Sequence, residues 1–298
     1  MGNNKIILIA GGTGLIGKQL SIYLKSKGHE VRILTRGKTN KEHALYHWNP
    51  VKEEIDKESL QDVSIIINLS GAGIADKRWT QQRKKELIDS RTVPAQFLAT
   101  QAKNIKSLEH YISASGVNCY GYENNNKLYS EDDAYGDDFL SNVVQQWEKS
   151  ADLFASFTKV TKIRISVVLL KDGGALPKIA KPVRFGFGAA LGSGKQWMPW
   201  ISDHDLIRLF EHVMNNSLEG TFNALAENST NAEFTKAVAK TLKKPLFLPN
   251  VPSFLMRLVL GEMASVVLDG VQADNSKIKS VGFQFEDNHL DKVLLRYF

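Results

Sequence analysis

The feature that most constrains the fold of this chain is a glycine-punctuated segment near its beginning. Its apolar runs are short enough for strands buried on both faces, and the residues between them recur at helical spacing. In chain order the segment contains an apolar run at residues 5–10, then Gly11, Gly14 and Gly17, a helical pattern from Leu15 that ends at Gly28, and a second apolar run at residues 31–34. This order of strand, glycine turn, helix and strand predicts a βαβ unit that binds a dinucleotide.

Each glycine of the turn has a physical reason. Gly11 permits a tight turn out of the strand, Gly14 lets the backbone approach a pyrophosphate, and Gly17 lets the helix lie close to the strand. The helix N-terminus then offers free N–H groups and a partial positive charge to the phosphates. We therefore predict that the cofactor contacts Gly11, Thr13, Gly14, Leu15 and Ile16.

The end of the second strand indicates which dinucleotide binds. An acidic residue there would bind the ribose 2′-hydroxyl of NAD, whereas an arginine can pair with the 2′-phosphate of NADP. The sequence has Thr35 and Arg36 at this point and no acid. We therefore predict NADP as the cofactor. The alternative interpretation of Arg36 is a solvated surface residue without a role in binding.

Composition excludes several classes of protein. The 298 residues are 43% hydrophobic, which is enough for a large core, and the formal net charge is +6. Apart from a cluster at residues 83–85 the basic residues are dispersed, so we expect no nucleic-acid partner. The single cysteine, Cys119, excludes an intrachain disulfide and a cysteine-based zinc site, and no spacing of His, Asp or Glu indicates a metal.

Targeting signals are not apparent. The first apolar run is too short for a signal peptide, and the apolar stretch at residues 251–268 contains Arg257 and Glu262. That stretch reads as a buried amphipathic helix rather than a membrane span. We expect a cytoplasmic protein without a membrane partner, and the sequence leaves its oligomeric state open.

Strands and helices alternate along the chain, which predicts an α/β fold: a doubly wound, parallel Rossmann sheet. Residues 1–170 are predicted to form the NADP-binding domain. Residues 171–298 are predicted to form substrate-pocket loops and a mostly helical region, part of which completes the sheet. Further predicted elements are strands at 63–69, 110–115, 163–169 and 220–224, a helix at 80–103 that Pro94 kinks or divides, a helix at 139–157, and a loop at 124–126.

Four motifs resemble those of the extended short-chain dehydrogenase/reductase superfamily, and the resemblance covers essentially the whole chain. They are GGTGLIG at 11–17, INLSGAGI at 67–74, ISASGVNCYG at 112–121 and IRISVVL at 163–169. A narrower set resembles the subgroup called NAD-dependent, or nucleoside-diphosphate-sugar, epimerase-like, which has a distinctive C-terminal helical region. That set comprises RWT at 78–80, Ser90-Arg91, Trp147-Glu148, LGSGKQWMPWI at 191–201 and GEMASVVLDG at 261–270.

The resemblance implies further cofactor contacts. Leu69, Ser70 and Gly71 would wall the adenosine half of the dinucleotide, and Val168 would lie near its nicotinamide end. The helix after the fourth strand would lie beside the cofactor. On it, Glu86 and Arg91 are predicted cofactor-binding residues, with Arg91 a phosphate or ribose contact.

The chain departs from the superfamily at the residues that carry the chemistry. Active members use a tyrosine as general acid/base and a lysine four residues later, but the corresponding helix here has Val143 and Trp147 at those positions. The one Tyr-xxx-Lys string, residues 23–27, lies on the first helix and reads as a chance match. The remaining candidates are Ser115, or less favourably Ser113, and Tyr120 as a displaced acid/base.

Lys195 and Asp203 lie in the predicted pocket loops, where a solvated or structural role is the alternative to a role in the site. We interpret His204 as a hydrogen-bonded structural residue rather than a base. Two functions are consistent with these residues. One is an NADP-dependent oxidoreductase or epimerase-like enzyme acting on a small polar or sugar-nucleotide substrate. The other is a non-catalytic NADP(H)-sensing protein that acts through a partner.

Overall fold

An eight-stranded sheet organises the computed structural model, which describes residues 4–121 and 127–298. The predicted loop at 124–126 lies outside the described residues. The strands are β1 (Ile6–Ala10), β2 (Glu30–Thr35), β3 (Leu45–Asn49), β4 (Glu54–Ile55), β5 (Ile65–Asn68), β6 (His110–Gly116), β7 (Leu128–Tyr129), β8 (Lys159–Ile165), β9 (Val167–Leu170), β10 (Gly173–Gly174), β11 (Trp197–Ser202), β12 (Gly220–Ala224), β13 (Glu227–Thr230) and β14 (Gln272–Ala273).

The strand order of the main sheet is β12-β8-β6-β5-β1-β2-β3-β4, and its neighbours are parallel except β3 and β4. The order runs outward in both directions from β1 and β5, as in a doubly wound Rossmann fold. The edge strand β12 comes from the second predicted domain, so that segment completes the sheet. Four other strands form a smaller sheet in the order β10-β9-β11-β13, and β14 pairs with β7.

Ten α-helices of the described residues surround these sheets: α1 (Leu15–Ser26), α2 (Gln81–Ala102), α3 (Phe139–Ala151), α4 (Leu176–Arg184), α5 (Asp203–Asn215), α6 (Asn231–Thr241), α7 (Ser253–Leu260), α8 (Ser265–Leu268), α9 (Ser276–Ser280) and α10 (Leu290–Leu294). Helix α2 is not divided at Pro94, which is buried among the residues that pack the helix on the sheet. Helix α3 ends earlier than predicted. A 3₁₀ turn then carries Phe154 into the core, where it stacks on Tyr111, and this turn prolongs the helical pattern.

Both faces of the main sheet are buried. In β1, Ile7 and Ile9 pack on one side with Leu20 of α1 and Phe210 of α5. The alternate residues of the same strand face Leu98 of α2 on the other side. Because side chains alternate across a strand, a continuous apolar run can serve two cores, and each buried side chain contributes roughly 1.5–3 kcal/mol.

The predicted strand at 163–169 is two strands. It breaks at Ser166, whose backbone N–H and hydroxyl both donate to the carbonyl of Ala224 at the end of β12. Residues before the break belong to the main sheet as β8, and residues after it join the smaller sheet as β9. Apolar patterning alone does not reveal the break, because both halves are buried strands.

The prediction of a single buried helix at 251–268 is wrong. The segment forms α7, a 3₁₀ turn at Gly261–Ala264 and α8, and no residue of α7 is buried. Gly261 ends α7 with a φ of 61°. Among the described residues, none of the helices combines the length and apolarity required to span a bilayer.

Candidate functional site

A cavity of about 800 Å³ lies beyond the carboxyl ends of β1, β5, β6 and β8. This is the edge at which open α/β sheets bind ligands. Ten of the predicted site residues line it: Gly11, Gly14, Leu15, Ile16, Leu69, Ser70, Gly71, Arg91, Ser115 and Val168. Five predicted site residues are not part of that lining: Thr13, Thr35, Arg36, Glu86 and Tyr120.

The glycine turn has the geometry that phosphate binding requires. Gly11 has a φ of 77°, and its carbonyl accepts a 3.0 Å hydrogen bond from the N–H of Gly14. A Cβ at Gly17 would lie 2.3 Å from the Gly11 carbonyl oxygen, so only glycine lets α1 approach the turn. Gly14 is exposed, and a Cβ there would meet only that same oxygen, at 3.2 Å. The turn therefore fits the pyrophosphate of a dinucleotide.

The end of β2 lies beside this turn. Leu34 is in register with Ala10, and a Cβ at Gly12 would contact the side chain of Ile33 at 2.7 Å. The hydroxyl of Thr35 accepts a hydrogen bond from the N–H of Gly37, so it has a structural contact in this turn. Arg36 follows as an exposed residue, and no carboxylate of residues 4–121 or 127–298 forms an ion pair with it. Its guanidinium is thus available for an anion.

Helix α2 holds the loop that follows β5. The N–H of Ala72 donates to the Ser90 hydroxyl at 3.0 Å, and its carbonyl accepts from Arg91 at 3.0 Å. Arg83 donates to the carbonyl of Gly73 at 2.6 Å. The Ser90-Arg91 motif therefore positions the wall of the cavity. Glu86 is exposed and pairs with Arg83, which does not support its prediction as a cofactor contact.

Arg91 is a buried cation without a carboxylate partner among the described residues. Its other hydrogen bonds go to the Leu87 carbonyl and the Ser90 hydroxyl, and its Nε has no partner in the described structure. Burial lowers its pKa to about 10, helped by the charge of Arg83, so the group is still cationic at neutral pH. A buried cation at a cavity wall favours an anionic ligand there.

A buried ion pair lies behind Ser115. The Ser115 hydroxyl donates to Glu148 Oε1 at 2.5 Å, and Arg164 binds both oxygens of that carboxylate, at 2.8 and 3.0 Å. Burial acts to raise the pKa of Glu148, but the hydrogen bond and charge of Arg164 outweigh it, and the pKa lies below its ordinary value. The carboxylate is therefore ionised, and the proton of Ser115 is directed at it. Toward the cavity, the Ser115 oxygen can only accept a hydrogen bond.

Tyr120 belongs to the same buried network but not to the cavity. Its hydroxyl donates to Asn223 Oδ1 at 2.7 Å and accepts from Arg164 at 3.0 Å. Burial raises the pKa of this hydroxyl well above its usual range. A buried phenol with both hydrogen-bonding directions occupied is poorly placed to exchange a proton with a ligand, so the structure does not support Tyr120 as the acid/base.

Val143 and Trp147 lie one turn apart on α3 and both line the cavity. The Trp147 ring lies against the Arg91 guanidinium, 4.9 Å from ring centroid to Cζ. The indole N–H is buried and has no partner in the part of the chain described. Neither residue can transfer a proton at neutral pH. The valine side chain and the indole ring make this side of the cavity largely apolar.

The other polar candidates are not part of the cavity lining. The Ser113 hydroxyl donates to the Ala114 carbonyl, and Asp203 accepts from Tyr297. His204 pairs with Glu286 at the surface, and Lys195 is exposed. Tyr23, in the chance Tyr-xxx-Lys string, donates to Glu211.

The sequence did not reveal the roles of Glu148 and Arg164. A usable signal was present: Glu148 follows Val144 by four residues on the apolar stripe of α3, and Arg164 interrupts a buried apolar strand. Two opposite charges at positions expected to be buried indicate a pair. Gln196, whose buried Oε1 has no partner in the described structure, was also missed as a cavity residue.

Comparison with known proteins agrees with this geometry. Residues 7–142 match the NAD dependent epimerase/dehydratase family, and residues 251–296 match a domain of unknown function, DUF1731. An epimerase family protein of Mycobacterium leprae is 35% identical over 295 residues, which cover 97% of this chain and 94% of that protein. The epimerase family protein SDR39U1 of Mus musculus is 34% identical over 298 residues, covering 97% of this chain and 98% of the relative.

Solved structures give the same result. The crystal structure of human epimerase family protein SDR39U1 (isoform 2) with NADPH superposes with a TM-score of 0.88 at 30% identity, covering 98% of each chain. UDP-glucose 4-epimerase of Thermotoga maritima with UDP-glucose has a TM-score of 0.77 at 16% identity, covering 98% of this chain and 97% of that one, and shares the fold. The predicted resemblance and fold class are thereby confirmed: the chain belongs to the epimerase family of the extended short-chain dehydrogenase/reductase type.

Proposed function

We propose that the protein is an NADP(H)-binding oxidoreductase or epimerase-like enzyme whose active site lacks the Tyr-xxx-Lys pair. The observation that carries the proposal is the glycine turn, which presents exposed backbone at Gly14 to a cavity whose wall contains the buried cation Arg91. Both features suit a dinucleotide pyrophosphate. The NADPH in the crystal structure of the human relative supports the same cofactor.

Two residues favour NADP(H) over NAD(H). Arg36 is exposed at the end of β2, next to the glycine turn, and can pair with a 2′-phosphate. Thr35 before it brings no carboxylate that would select a free 2′-hydroxyl. A binding preference for NADP(H) is the expected consequence.

When bound, a nicotinamide ring supplies reversible hydride transfer. The residues of this chain contribute position and environment. Ser115, with its proton directed at Glu148, accepts a hydrogen bond from a ligand hydroxyl or amide. Val143 and Trp147 exclude water from the same region. The proton of the reaction is then transferred by a group on the substrate, because the proton of Ser115 is directed at Glu148 and away from the cavity.

The cavity lining bears on the substrate. Beyond the glycine turn and Arg91 it is dominated by apolar side chains, among them Leu140, Val143, Trp147, Val168, Ile179, Val183, Trp197 and Met198. The sequence predicted a small polar or sugar-nucleotide substrate. The polar atoms of such a substrate would lie against these apolar side chains. We therefore favour a substrate with one polar group near Ser115 and a substantial apolar part.

The second candidate function is NADP(H) binding without turnover, in which the bound cofactor alters a partner-binding surface. One observation favours it: the two positions that carry the acid/base pair in active relatives are Val143 and Trp147, and both line the cavity. Such a protein would bind the cofactor and turn over no substrate.

Calorimetry tests the cofactor site that both functions share, and an oxidation assay separates the two functions. We expect NADPH to bind more tightly than NADH, and Gly14→Val to abolish binding by filling the space needed for backbone approach. The variant should fold, because a Cβ at Gly14 meets only one carbonyl oxygen. Its thermal unfolding is the control. Normal NADPH binding by a folded Gly14→Val protein would contradict the assigned site. NADPH oxidation in the presence of medium-chain aldehydes or ketones would support the enzymatic function. NADPH binding without oxidation would support the second function, binding without turnover.

A further inference from the structure

Helix α7 exposes apolar side chains that no core accounts for. None of its residues is buried, and Phe254, Leu258 and Val259 are 67%, 73% and 69% exposed. A surface helix ordinarily buries one apolar stripe against its domain, whereas this one is apolar and solvated on several sides. Several exposed aromatic and aliphatic side chains on one short helix indicate an interaction site.

Two neighbouring segments extend the same surface. Phe185 and Phe187 follow α4, Phe247 precedes α7, and all three are exposed to a similar degree. The segments adjoin: the N–H of Val251 donates to the Ala190 carbonyl at 2.8 Å, and a Cβ at Gly188 would lie 2.7 Å from Leu246. We call the six exposed residues the apolar rim: Phe185, Phe187, Phe247, Phe254, Leu258 and Val259.

The two segments that carry the apolar rim are basic. Residues 173–202 and 234–261, which contain it, include no Asp or Glu. Within the part of the chain that is described, eight exposed basic residues of these segments form no ion pair, and five of them lie within four residues of a rim residue in the sequence: Lys181, Arg184, Lys243, Lys244 and Arg257. The next acid after α7, Glu262, is paired with Lys84 of α2. The rim is therefore an apolar surface within a positive field.

This charge distribution discriminates between occupants. A second copy of the chain, joined through the same face, would oppose cations with cations. A nucleic acid would match the charge but would leave aliphatic Leu258 and Val259 without a stacking partner. An anionic lipid surface supplies negative headgroups for the basic residues and an acyl region for the phenylalanines and aliphatic groups.

We propose that the apolar rim docks the protein onto anionic lipid membranes, with its phenylalanines inserted at the headgroup boundary and the five basic residues on lipid phosphates. This revises the expectation of no membrane partner. Docking would bring lipid next to the cavity, because Pro182, Val183 and Leu191 line the cavity within the segment that carries Phe185 and Phe187. The proposal is independent of whether the cavity is catalytic.

Vesicle co-sedimentation of the full chain tests the proposal. We expect binding to vesicles of phosphatidylcholine and phosphatidylglycerol in equal parts, much weaker binding to pure phosphatidylcholine, and weakening by salt. The double variant Phe254→Ser/Leu258→Ser should bind at least about tenfold more weakly, since it removes inserted apolar area. The variant Lys243→Ala/Lys244→Ala should bind less and depend less on salt. The matched control is Ile22→Ser/Val51→Ser, which changes equally exposed apolar residues outside the rim and should bind as wild type.

Several results would overturn the proposal. They are equal binding to neutral and anionic vesicles, unchanged binding by the Phe254→Ser/Leu258→Ser protein, and loss of binding by the control variant. A concentration-dependent dimer that the same rim substitutions dissociate, without vesicle binding, would assign the rim to a second copy. Binding to a single-stranded oligonucleotide but not to vesicles would assign it to nucleic acid. Circular dichroism confirms that each variant is folded.

Discussion

The cofactor end and the reaction end of the cavity differ in where their polar groups lie. At the cofactor end the glycine turn exposes backbone at Gly14, and Arg91 lines the wall. At the reaction end, where the proposed chemistry would take place, the lining residues on α3 are Leu140, Val143, Val144 and Trp147. The charged pair of Glu148 and Arg164 is buried behind Ser115. The first arrangement suits binding of an anion. The second suits holding one hydroxyl in a fixed orientation in an apolar space.

The difference indicates that the two ends can change independently on one fold. Backbone geometry determines the phosphate site, which needs only the glycine turn and the helix N-terminus that follows it. Acid/base chemistry needs particular side chains at particular distances, and substitution of two residues on one helix removes it. A test of the comparison must therefore alter one end at a time.

The largest effect is expected when the buried ion pair is broken. Glu148→Gln leaves Arg164 buried without a countercharge, which should lower the free energy of unfolding by about 3–5 kcal/mol in urea denaturation. Asp89→Asn, which breaks the exposed pair with Lys85, should cost less than about 0.5 kcal/mol and serves as the control. Similar losses for the two variants would contradict a structural role for the buried pair.

The pH dependence of stability sharpens that experiment. The pKa of Glu148 in the folded protein lies below its ordinary value of 4.5, so the unfolded state binds the proton more readily. The contribution of Glu148 is therefore complete above pH 4.5 and decreases as the pH falls through the folded-state pKa. The Glu148→Gln protein should lack this part of the acid dependence. An acid limb identical to that of wild type would show that other carboxylates account for it.

A smaller effect is expected at the cofactor end. Arg36→Ala should weaken NADPH binding roughly fivefold to tenfold in calorimetry, because the contact with the 2′-phosphate is charged but solvent-screened. NADH binding should be unchanged, since that cofactor has no 2′-phosphate. Lys41→Ala is the matched control, because its ammonium is already paired with Glu58. Equal weakening of NADPH and NADH by Arg36→Ala would remove the argument for NADP selectivity.

The smallest effect is expected from restoring a single acid/base residue. Val143→Tyr should give no gain in NADPH oxidation with carbonyl substrates, because no lysine follows to lower the pKa of the phenol. A lysine at position 147 would itself face the Arg91 guanidinium now packed on Trp147. A gain in oxidation by the Val143→Tyr protein, or a cofactor-bound structure with a tyrosine and lysine from elsewhere near the nicotinamide, would overturn this view of the reaction end.

Sequence patterns identified the glycine turn of the cofactor end because its determinants are local. The turn from Gly11 to Gly17, the strand before it and the helix after it are contiguous, and backbone sterics dictate the residue types. Arg91 was identified through a motif and does line the cavity. The structure does not support Glu86 and Tyr120 as site residues, because other side chains occupy them. Glu86 pairs with Arg83 one helical turn away, and Tyr120 binds Asn223 on β12, a partner distant in sequence.

The sequence by itself determined the doubly wound sheet and the glycine turn, since both follow from residue type and short spacing, and the family resemblance implied that the tyrosine–lysine pair is absent. Only the tertiary structure decided that Glu148 and Arg164, 16 residues apart, meet behind Ser115, and that the strand breaks at Ser166 to enter a second sheet. It also decided that α7 lies at the surface. An apolar pattern gives the amount of surface a segment can bury, and burial itself depends on whether another part of the chain packs against it.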